Sequence, residues 1–287
     1  MGSLIAVTGA TGSLGGLVID DLIGAVAADS IVAVARDAAK AAPLAEKGVR
    51  VRLADYTDPD ALAAAFEDVQ TLLLISGSEV GQRYEQHANV VRAAKARGVR
   101  HIVYTSAPHA DTSSLVLAPE HKASEQAIRD SGLTFTFLRN NWYNENYLPQ
   151  VASAAESGVL IGSTHGGTVA SAARADYAAA AAAVLTSPGH DDTVYELAGD
   201  TAWDYVALAA VISEISGKPV AYHDLSTEEH TAALEQHGLD EATAAFVARL
   251  DADIAAGALS EVTTDLARLI GRPTTPLIDT LRAGAAR

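Results

Sequence analysis

The sequence predicts an α/β protein with a doubly wound parallel sheet and a smaller, mainly helical C-terminal lobe. Two observations predict this class. Short apolar runs alternate with helical stretches through the first half of the 287 residues, and a glycine-rich turn follows the first apolar run directly. Alternating strands and helices build βαβ units, in which each crossover helix returns the chain so that successive strands lie parallel. We therefore expect a Rossmann-type sheet covered by helices on both faces.

The first half contains six predicted strands, each a short run rich in apolar and β-branched residues. They lie at residues 4–8, 31–35, 49–53, 71–75, 101–105 and 134–138. Five helices are predicted between them, at residues 13–27, 43–47, 59–66, 81–97 and 119–131. Gly98 and Gly132 stand where two of these helices should stop, because glycine readily adopts the left-handed conformation of a helix C-terminus. We assign residues 1–140 to a nucleotide-binding domain.

The rhythm changes after residue 140, where helices are mixed with brief strands. The helices are predicted at residues 143–155, 174–186, 203–216, 227–237 and 239–256, and the strands at 194–197 and 220–223. We assign residues 141–287 to a substrate lobe with segments that return to the Rossmann core. Because no Gly/Ser-rich or Pro-rich linker separates the two parts, we expect a ligand cleft between them.

One aspartate and one acidic run of this second part are assigned structural roles. Asp176 is interpreted as a helix cap or as an ion-pair partner of Arg174. The run from Asp251 to Asp253 is interpreted as a solvated helix face.

Composition excludes several classes of function. Lysine and arginine number 20 against 36 aspartate and glutamate residues, and a net charge of −16 opposes binding to a nucleic-acid backbone. The chain has no cysteine, which excludes disulfides, a thiol nucleophile, iron–sulfur clusters and thiolate zinc sites. The histidines lack metal-ligand spacing, so we expect no metal. No basic leader or apolar run of spanning length is present, which predicts a cytoplasmic protein without a membrane segment.

A glycine-rich loop directly follows the first strand and precedes a helix, which is the context of a dinucleotide-binding fingerprint. Gly9 permits the tight turn, Gly12 lets the backbone approach a pyrophosphate, and Gly15 lets the helix pack on the sheet. The helix N-terminus then presents its amides to the anion. The predicted cofactor loop consists of Gly9, Ala10, Thr11, Gly12, Ser13, Leu14 and Gly15.

The end of the second strand discriminates between nicotinamide cofactors. An acidic residue there binds the ribose 2′-hydroxyl of NAD(H), whereas a basic residue accommodates the 2′-phosphate of NADP(H). This chain has Arg36, with Lys40 four positions later, and both cations can converge on one phosphate. Asp37 could instead pair with Arg36. We predict a preference for NADP(H) and leave acceptance of NAD(H) open.

Seven segments in chain order carry a resemblance to a known family: residues 9–15, 36–41, 73–83, 104–106, 138–147, 195–200 and 270–276. The chain resembles the NmrA-like atypical short-chain dehydrogenases, and within them the flavin-independent NAD(P)H quinone oxidoreductases and the triphenylmethane-dye reductases. The resemblance implies an NADPH-binding doubly wound domain, a small C-terminal lobe and hydride transfer without flavin. It is weaker on the substrate, because the same scaffold serves azo, dye, enone and carbonyl reduction, and non-catalytic cofactor sensing.

Two further segments are predicted to reach the cofactor or the reacting groups. Ser76, Gly77 and Ser78 follow the fourth strand, where they either contact the cofactor or form an ordinary turn. Short-chain dehydrogenases typically pair a serine after strand five with a Tyr-x-x-x-Lys helix; here Ser106 is kept, but His121 and Glu125 replace the tyrosine and lysine. His121 could donate a proton, with Glu125 raising its pKa, or the two could form a surface pair.

The segment from residue 140 to 147 combines amides and aromatic rings and is the strongest candidate for the substrate site. Asn140 and Asn141 can bind the nicotinamide end of the cofactor, Trp142 can form an apolar wall, and Tyr143 can donate to a substrate oxygen. Alternatively, Trp142 and Tyr147 anchor the two lobes to one another. Both roles can coexist.

We interpret the protein as an NADPH-dependent oxidoreductase that transfers hydride to a quinone or a related carbonyl, enone or dye. Two alternatives stay open: a ketone or carbonyl reductase, and a non-catalytic NADP(H)-sensing protein. The expected partner is a small aromatic acceptor. The helix at residues 81–97 could form a homodimer surface or pack on its own sheet.

Overall fold

The computed structural model describes residues 3–286 and contains a seven-stranded parallel sheet covered by helices on both faces. The strand order is β3-β2-β1-β4-β5-β6-β8, and β7 and β9 form a separate parallel pair. The predicted fold class is confirmed. The strands are β1 (Leu4–Val7), β2 (Ile31–Ala35), β3 (Arg50–Leu53), β4 (Val69–Leu74), β5 (His101–Ser106), β6 (Thr134–Asn140), β7 (Val159–Gly162), β8 (Thr193–Leu197) and β9 (Ala221–Asp224).

Twelve α-helices connect the strands within the described residues and continue to the C-terminus. None of them is long and apolar enough to cross a membrane. They are α1 (Ser13–Ala25), α2 (Ala38–Glu46), α3 (Pro59–Ala65), α4 (Arg83–Ala96), α5 (Ala118–Ser131), α6 (Leu148–Ser157), α7 (Arg174–Thr186), α8 (Tyr205–Ser216), α9 (Thr227–Gln236), α10 (Glu241–Ala255), α11 (Asp265–Ile270) and α12 (Leu277–Ala285).

Each face of the sheet has its own apolar core, because successive strand residues point to opposite faces. Ile5 and Val7 of β1 pack with α1, α7 and α11 on one face. Leu4 and Ala6 pack with α3, α4 and α5 on the other. Helix α4 buries Val90 in this second core, so it packs on its own sheet. The cores therefore fix both layers of helices and the edge at which the strands end.

The residues beyond 140 contribute to both parts of the molecule. Helix α7 and strand β8 belong to the sheet unit, with β8 paired in parallel to β6. A third core lies outside it and is formed mainly by α6, α8, α10 and α12 around buried residues such as Tyr147 and Tyr205. Tyr147 packs edge-on against Trp203, with ring centroids 4.8 Å apart.

Several element boundaries differ from the sequence-based predictions. Helix α2 begins at Ala38 rather than at Pro43, because the Asp37 side chain accepts hydrogen bonds from the amides of the first turn. The helix predicted from Tyr143 begins only at Leu148, after a short 3₁₀ segment, Asn144–Tyr147. Pro149 lies in the first turn of this helix, where proline is well tolerated. Strand β7 and helices α11 and α12 were not predicted.

The structural role expected of Asp176 is confirmed with a partner other than Arg174, and the solvated face expected at residues 251–253 is wrong. Asp176 is fully buried and accepts hydrogen bonds from the Arg272 guanidinium (2.6 Å) and from the Thr275 amide (2.7 Å). Asp251 and Asp253 are also buried: Asp251 accepts from the Ser163 amide, and Asp253 accepts from the Val116 amide. These carboxylates bind backbone amides of loops that are distant in sequence. The spacing of the aspartates along their helices therefore did not reveal these contacts.

Removal of the Asp176 carboxylate should loosen the segment that precedes α12. Asp176→Ala leaves the Thr275 amide without its acceptor, which should lower the free energy of unfolding by about 1–3 kcal/mol. Urea denaturation followed by circular dichroism measures this change. The matched control is Asp279→Ala, which removes an exposed carboxylate from α12. Equal stability of the two variants would contradict the anchoring role.

Candidate active site

A cavity of about 640 Å³ lies at the carboxyl ends of the parallel strands. Loops that follow β1, β2, β3, β4, β5 and β6 meet in it, which is where open α/β sheets bind ligands. Ala10 is fully buried and does not reach the cavity wall. The other predicted site residues all line it: Gly9, Thr11, Gly12, Ser13, Leu14, Gly15, Arg36, Lys40, Ser76, Gly77, Ser78, Ser106, His121, Asn140, Asn141, Trp142 and Tyr143.

The loop after β1 has the geometry of a phosphate cradle. Gly9 has a positive φ of 59°, and the Gly12 amide donates to the Gly9 carbonyl at 2.9 Å. A Cβ atom at residue 15 would lie 2.3 Å from that carbonyl oxygen, so only glycine lets α1 approach the turn this closely. No side chain caps the N-terminus of α1 in the described structure. Its first amides can therefore receive an anion, and the residues present fit a dinucleotide.

Arg36 and Lys40 both line the cavity, Arg36 directly after β2 and Lys40 in the first turn of α2. Asp37 accepts hydrogen bonds from the Ala39 and Lys40 amides, so it caps α2 and does not pair with Arg36. The Arg36 guanidinium instead faces two other carboxylates, 3.7 Å from Asp55 and 3.5 Å from Glu79. The Arg36 side chain is 71% exposed, so both ion pairs are weak. A ligand anion of higher charge can therefore replace the carboxylates at the guanidinium.

The loop from Ser76 to Gly81 is built by partners that the sequence did not reveal. The Gly77 amide donates to His87 Nε2 (3.0 Å), and Arg83 Nε donates to the Gly77 carbonyl (2.8 Å). Arg83 also pairs with Glu120, whose other oxygen accepts from the Gly81 amide. This bonding makes the loop a fixed wall of the cavity. In the sequence, the family resemblance of residues 73–83 indicated this loop, but it assigned no role to Arg83.

Ser106 and Glu125 form part of a buried network instead of a catalytic pair with His121. Ser106 Oγ donates to Glu125 Oε1 at 2.7 Å. Arg139 binds both oxygens of Glu125, at 2.9 Å from Nε and 2.7 Å from Nη2. The prediction that Glu125 raises the His121 pKa is therefore wrong, and so is the surface pair, because both side chains are buried.

His121 is neutral in this site. Burial, with smaller contributions from Arg83 and His87, lowers its pKa from 6.5 to about 3. Its Nδ1 lies 2.7 Å from the Tyr104 hydroxyl, and when that hydroxyl donates, the ring proton resides on Nε2. His121 can then offer a neutral N–H donor to the cavity, but it does not carry a positive charge at neutral pH.

Tyr143 and Asn140 form a polar pair at the end of β6. Asn140 Nδ2 donates to the Tyr143 hydroxyl at 3.3 Å, so the hydroxyl proton is left to point elsewhere. Burial raises the pKa of Tyr143, which keeps it protonated. Asn140 Oδ1 is buried without a hydrogen-bond partner among the described residues. An unpartnered buried acceptor is costly, and its place in the cavity wall suits an amide donor from a ligand.

Asn141 and Trp142 form a further part of the cavity wall. Asn141 Oδ1 accepts from the Trp142 amide (2.7 Å) and its Nδ2 donates to the Leu259 carbonyl (3.2 Å), so both polar groups already have partners within the protein. Trp142 packs against the third core and lines the cavity together with Leu115 and Leu117. This wall is apolar and suits a flat aromatic molecule.

Arg174 is a cavity residue that the sequence analysis missed as a site residue. Its guanidinium lies over the Tyr143 ring, 5.0 Å from the centroid. The carboxylate expected to pair with it, Asp176, binds Arg272 instead. The sequence predicted that a helix begins at Arg174. The contact between Arg174 and Tyr143 depends on how α7 packs across the sheet, which the sequence alone does not show.

The described residues contain no cluster of three or more histidine, aspartate and glutamate side chains able to hold a metal. The groups assembled in the cavity are instead amides, hydroxyls, cations and aromatic rings. They define a nucleotide-binding α/β protein, whose cavity also has apolar side chains in its wall.

Comparison with known proteins identifies the family. Residues 9–188, more than half of the chain, match the NAD(P)H-binding family. Quinone oxidoreductase 2 of Escherichia coli is 51% identical over 278 residues, which cover 97% of each chain. The chain therefore belongs to the NAD(P)H-binding family, and the NmrA-like resemblance is confirmed.

Solved structures agree with this assignment. The NADPH complex of the E. coli NADPH-dependent quinone oxidoreductase superposes with a TM-score of 0.95 at 51% identity, covering 98% of this chain and 99% of that chain. The NADP(H) complex of the Citrobacter sp. triphenylmethane reductase superposes with a TM-score of 0.94 at 41% identity, again covering 98% and 99%.

Replacement of His121 should make the protein less sensitive to acid. The unfolded chain binds a proton at this histidine near pH 6.5, whereas the folded chain does so only near pH 3. Stability is therefore lost as pH falls through this window, by about 2 kcal/mol between pH 7 and pH 5 from His121 alone. Urea unfolding at the two pH values should show a smaller loss for His121→Asn than for the unsubstituted protein. Equal losses would contradict the neutral, buried state of His121.

Proposed function

We propose that the protein is an NADPH-preferring oxidoreductase that passes hydride directly from the nicotinamide to a quinone or a related activated acceptor. The observation that carries this proposal is a single cavity in which the phosphate cradle and the pair Arg36 and Lys40 meet the wall of Trp142 and Tyr143. The names of the E. coli and Citrobacter relatives support the acceptor class. The proposal implies a small aromatic substrate and no flavin.

The cofactor would be held by residues along the whole cavity. The amides at the start of α1 would bind the pyrophosphate, and Arg36 with Lys40 would bind the 2′-phosphate. The wall formed by Ser76, Gly77 and Ser78 would support the middle of the molecule. Asn140 Oδ1, which has no hydrogen-bond partner in the part of the chain that the structure describes, would accept from the carboxamide. When bound, the reduced nicotinamide supplies the hydride.

The acceptor would be oriented by neutral donors. The Tyr143 hydroxyl accepts from Asn140 and keeps its own proton for an acceptor oxygen. His121 Nε2 provides a second donor in the tautomer described above. Ser106 is a weaker candidate, because its proton is already committed to Glu125. Hydrogen-bond donors aimed at an oxygen that gains negative charge lower the barrier to its reduction.

Quinones suit this arrangement better than simple ketones. Reduction of a quinone to a hydroquinone consumes protons but does not generate a strongly basic oxygen. The absence of a tyrosine–lysine pair is therefore tolerated. A ketone becomes an alkoxide, which must be protonated as it forms. Ketone or carbonyl reduction is the second candidate function, and the Tyr143 hydroxyl is the observation that favours it.

The proposal is tested by NADPH oxidation with purified, flavin-free protein. The acceptors are a benzoquinone, a naphthoquinone, an aryl ketone, an enone and a cationic dye, with NADH as the parallel cofactor. A fall in the absorbance of reduced cofactor that depends on a quinone supports the proposal. No oxidation with any acceptor, while NADPH still raises the melting temperature, would overturn it in favour of the non-catalytic sensor.

Arg36→Ala should discriminate between the cofactors. Loss of the guanidinium removes the main partner of the 2′-phosphate, so the Kd of NADPH should rise about tenfold or more, whereas that of NADH should change less than about threefold. Fluorescence titration measures both constants. Arg97→Ala, which removes an exposed cation at the far end of α4, serves as the control. Equal losses for both cofactors would refute the assignment of Arg36.

Tyr143→Phe should affect ketones more than quinones. A positioned acid contributes roughly a hundredfold or more to a step that needs proton transfer, so turnover of an aryl ketone should fall at least about tenfold. Turnover of a benzoquinone should fall less than about threefold. Tyr84→Phe, at an exposed position on α4, is the control. Identical effects on both substrates would remove Tyr143 as the proton donor.

A further inference from the structure

A carboxylate faces the guanidinium to which the proposed function assigns the 2′-phosphate. Glu79 Oε1 lies 3.5 Å from Arg36 Nη1, and Glu79 lines the same cavity. We propose that Glu79 sets how strongly the cavity favours NADPH over NADH, by opposing the phosphate that Arg36 attracts. This inference rests on the proposed function, since it requires the 2′-phosphate to bind at Arg36.

Glu79 is held in place, which distinguishes it from a freely moving surface carboxylate. Gln86 Nε2 donates to Glu79 Oε2 at 2.8 Å, and Gln86 is only 6% exposed, so its position is set by the packing of α4. On either side of Glu79, the Gly77 and Gly81 amides are bonded to His87 and Glu120. The carboxylate is therefore held toward Arg36 by Gln86, in a loop whose backbone is itself hydrogen-bonded.

The charge of Glu79 acts differently on the two cofactors. The 2′-phosphate of NADPH brings negative charge to Arg36, where Glu79 already competes for the guanidinium and repels a second anion. NADH has an uncharged 2′-hydroxyl, which can donate a hydrogen bond to a carboxylate. Glu79 thus weakens NADPH binding and tolerates or assists NADH, so that the cavity can use both cofactors.

Asp55, the other carboxylate near Arg36, has a separate structural role. Its Oδ1 accepts from the Thr57 amide (2.8 Å) and hydroxyl (2.7 Å), and these bonds lower its pKa more than Arg36 does. A change at Asp55 would disturb the turn after β3. The Glu79 carboxylate accepts no hydrogen bond from a backbone amide among the described contacts, so its charge can be removed while the loop stays bonded.

The test is a binding measurement on Glu79→Gln. The Kd values of NADPH and NADH, and of 2′,5′-ADP and 5′-ADP, are measured by fluorescence or calorimetric titration at low and high salt. Loss of one charge near the phosphate should tighten NADPH and 2′,5′-ADP about threefold to tenfold at low salt. NADH and 5′-ADP should bind unchanged or more weakly, and the gain should shrink at high salt.

Two matched variants give the controls. Glu79→Asp keeps the charge and should stay close to the unsubstituted protein, whereas Glu85→Gln removes a charge from the first turn of α4 and should not alter the NADPH-to-NADH ratio. Equal tightening of all four ligands, no change in the ratio, or the same effect from Glu85→Gln would each overturn the role of Glu79. If Arg36→Ala still discriminates while Glu79→Gln does not, only this inference fails. If Arg36→Ala weakens both cofactors equally, the cofactor assignment fails with it.

Discussion

The ion pair between Arg139 and Glu125 holds together the elements that end at the cavity. Arg139 is buried at the end of β6, and it reaches Glu125 on α5 and Glu196 on β8. A buried guanidinium is stable only with well-placed carboxylates, so this pairing fixes the three elements relative to one another. Asn140 follows Arg139 directly, so the pair also determines where the chain leaves the sheet toward Tyr143. The Ser106 hydroxyl, bonded to the same Glu125, ties the end of β5 into this arrangement.

This pairing and the burial of the neighbouring side chains leave neutral groups at the end of the cavity. Glu125 is engaged with Arg139, and burial keeps His121 neutral and Tyr143 protonated. In the proposed function, the site therefore works with neutral hydrogen-bond donors, without the tyrosine–lysine pair that protonates alkoxides in related dehydrogenases. Such donors stabilise an oxygen that is easily reduced, which agrees with a quinone acceptor beside the apolar wall of Trp142.

Features encoded locally could be predicted from the sequence, and features that depend on distant partners could not. The phosphate cradle follows from glycine spacing, and all seven strands of the main sheet follow from their apolar runs. His121 and Glu125 are one helical turn apart, which suggested that they form a pair. Arg139, on strand β6, binds the Glu125 carboxylate instead. Asp176 was likewise matched to its neighbour Arg174, whereas its partner Arg272 lies 96 residues further along the chain. Long-range ion pairs leave no periodic pattern in a single sequence.

In the proposed reaction, cofactor and acceptor meet in one cavity, and hydride passes between them with no intermediate carrier. Initial rates of the flavin-free protein, measured over a grid of NADPH and benzoquinone concentrations, test it most directly. Reaction in a ternary complex predicts double-reciprocal plots that intersect, and a deuterium label at the transferred position of NADPH should slow single turnovers. Parallel lines, which indicate that oxidised cofactor leaves before the quinone binds, would contradict the account.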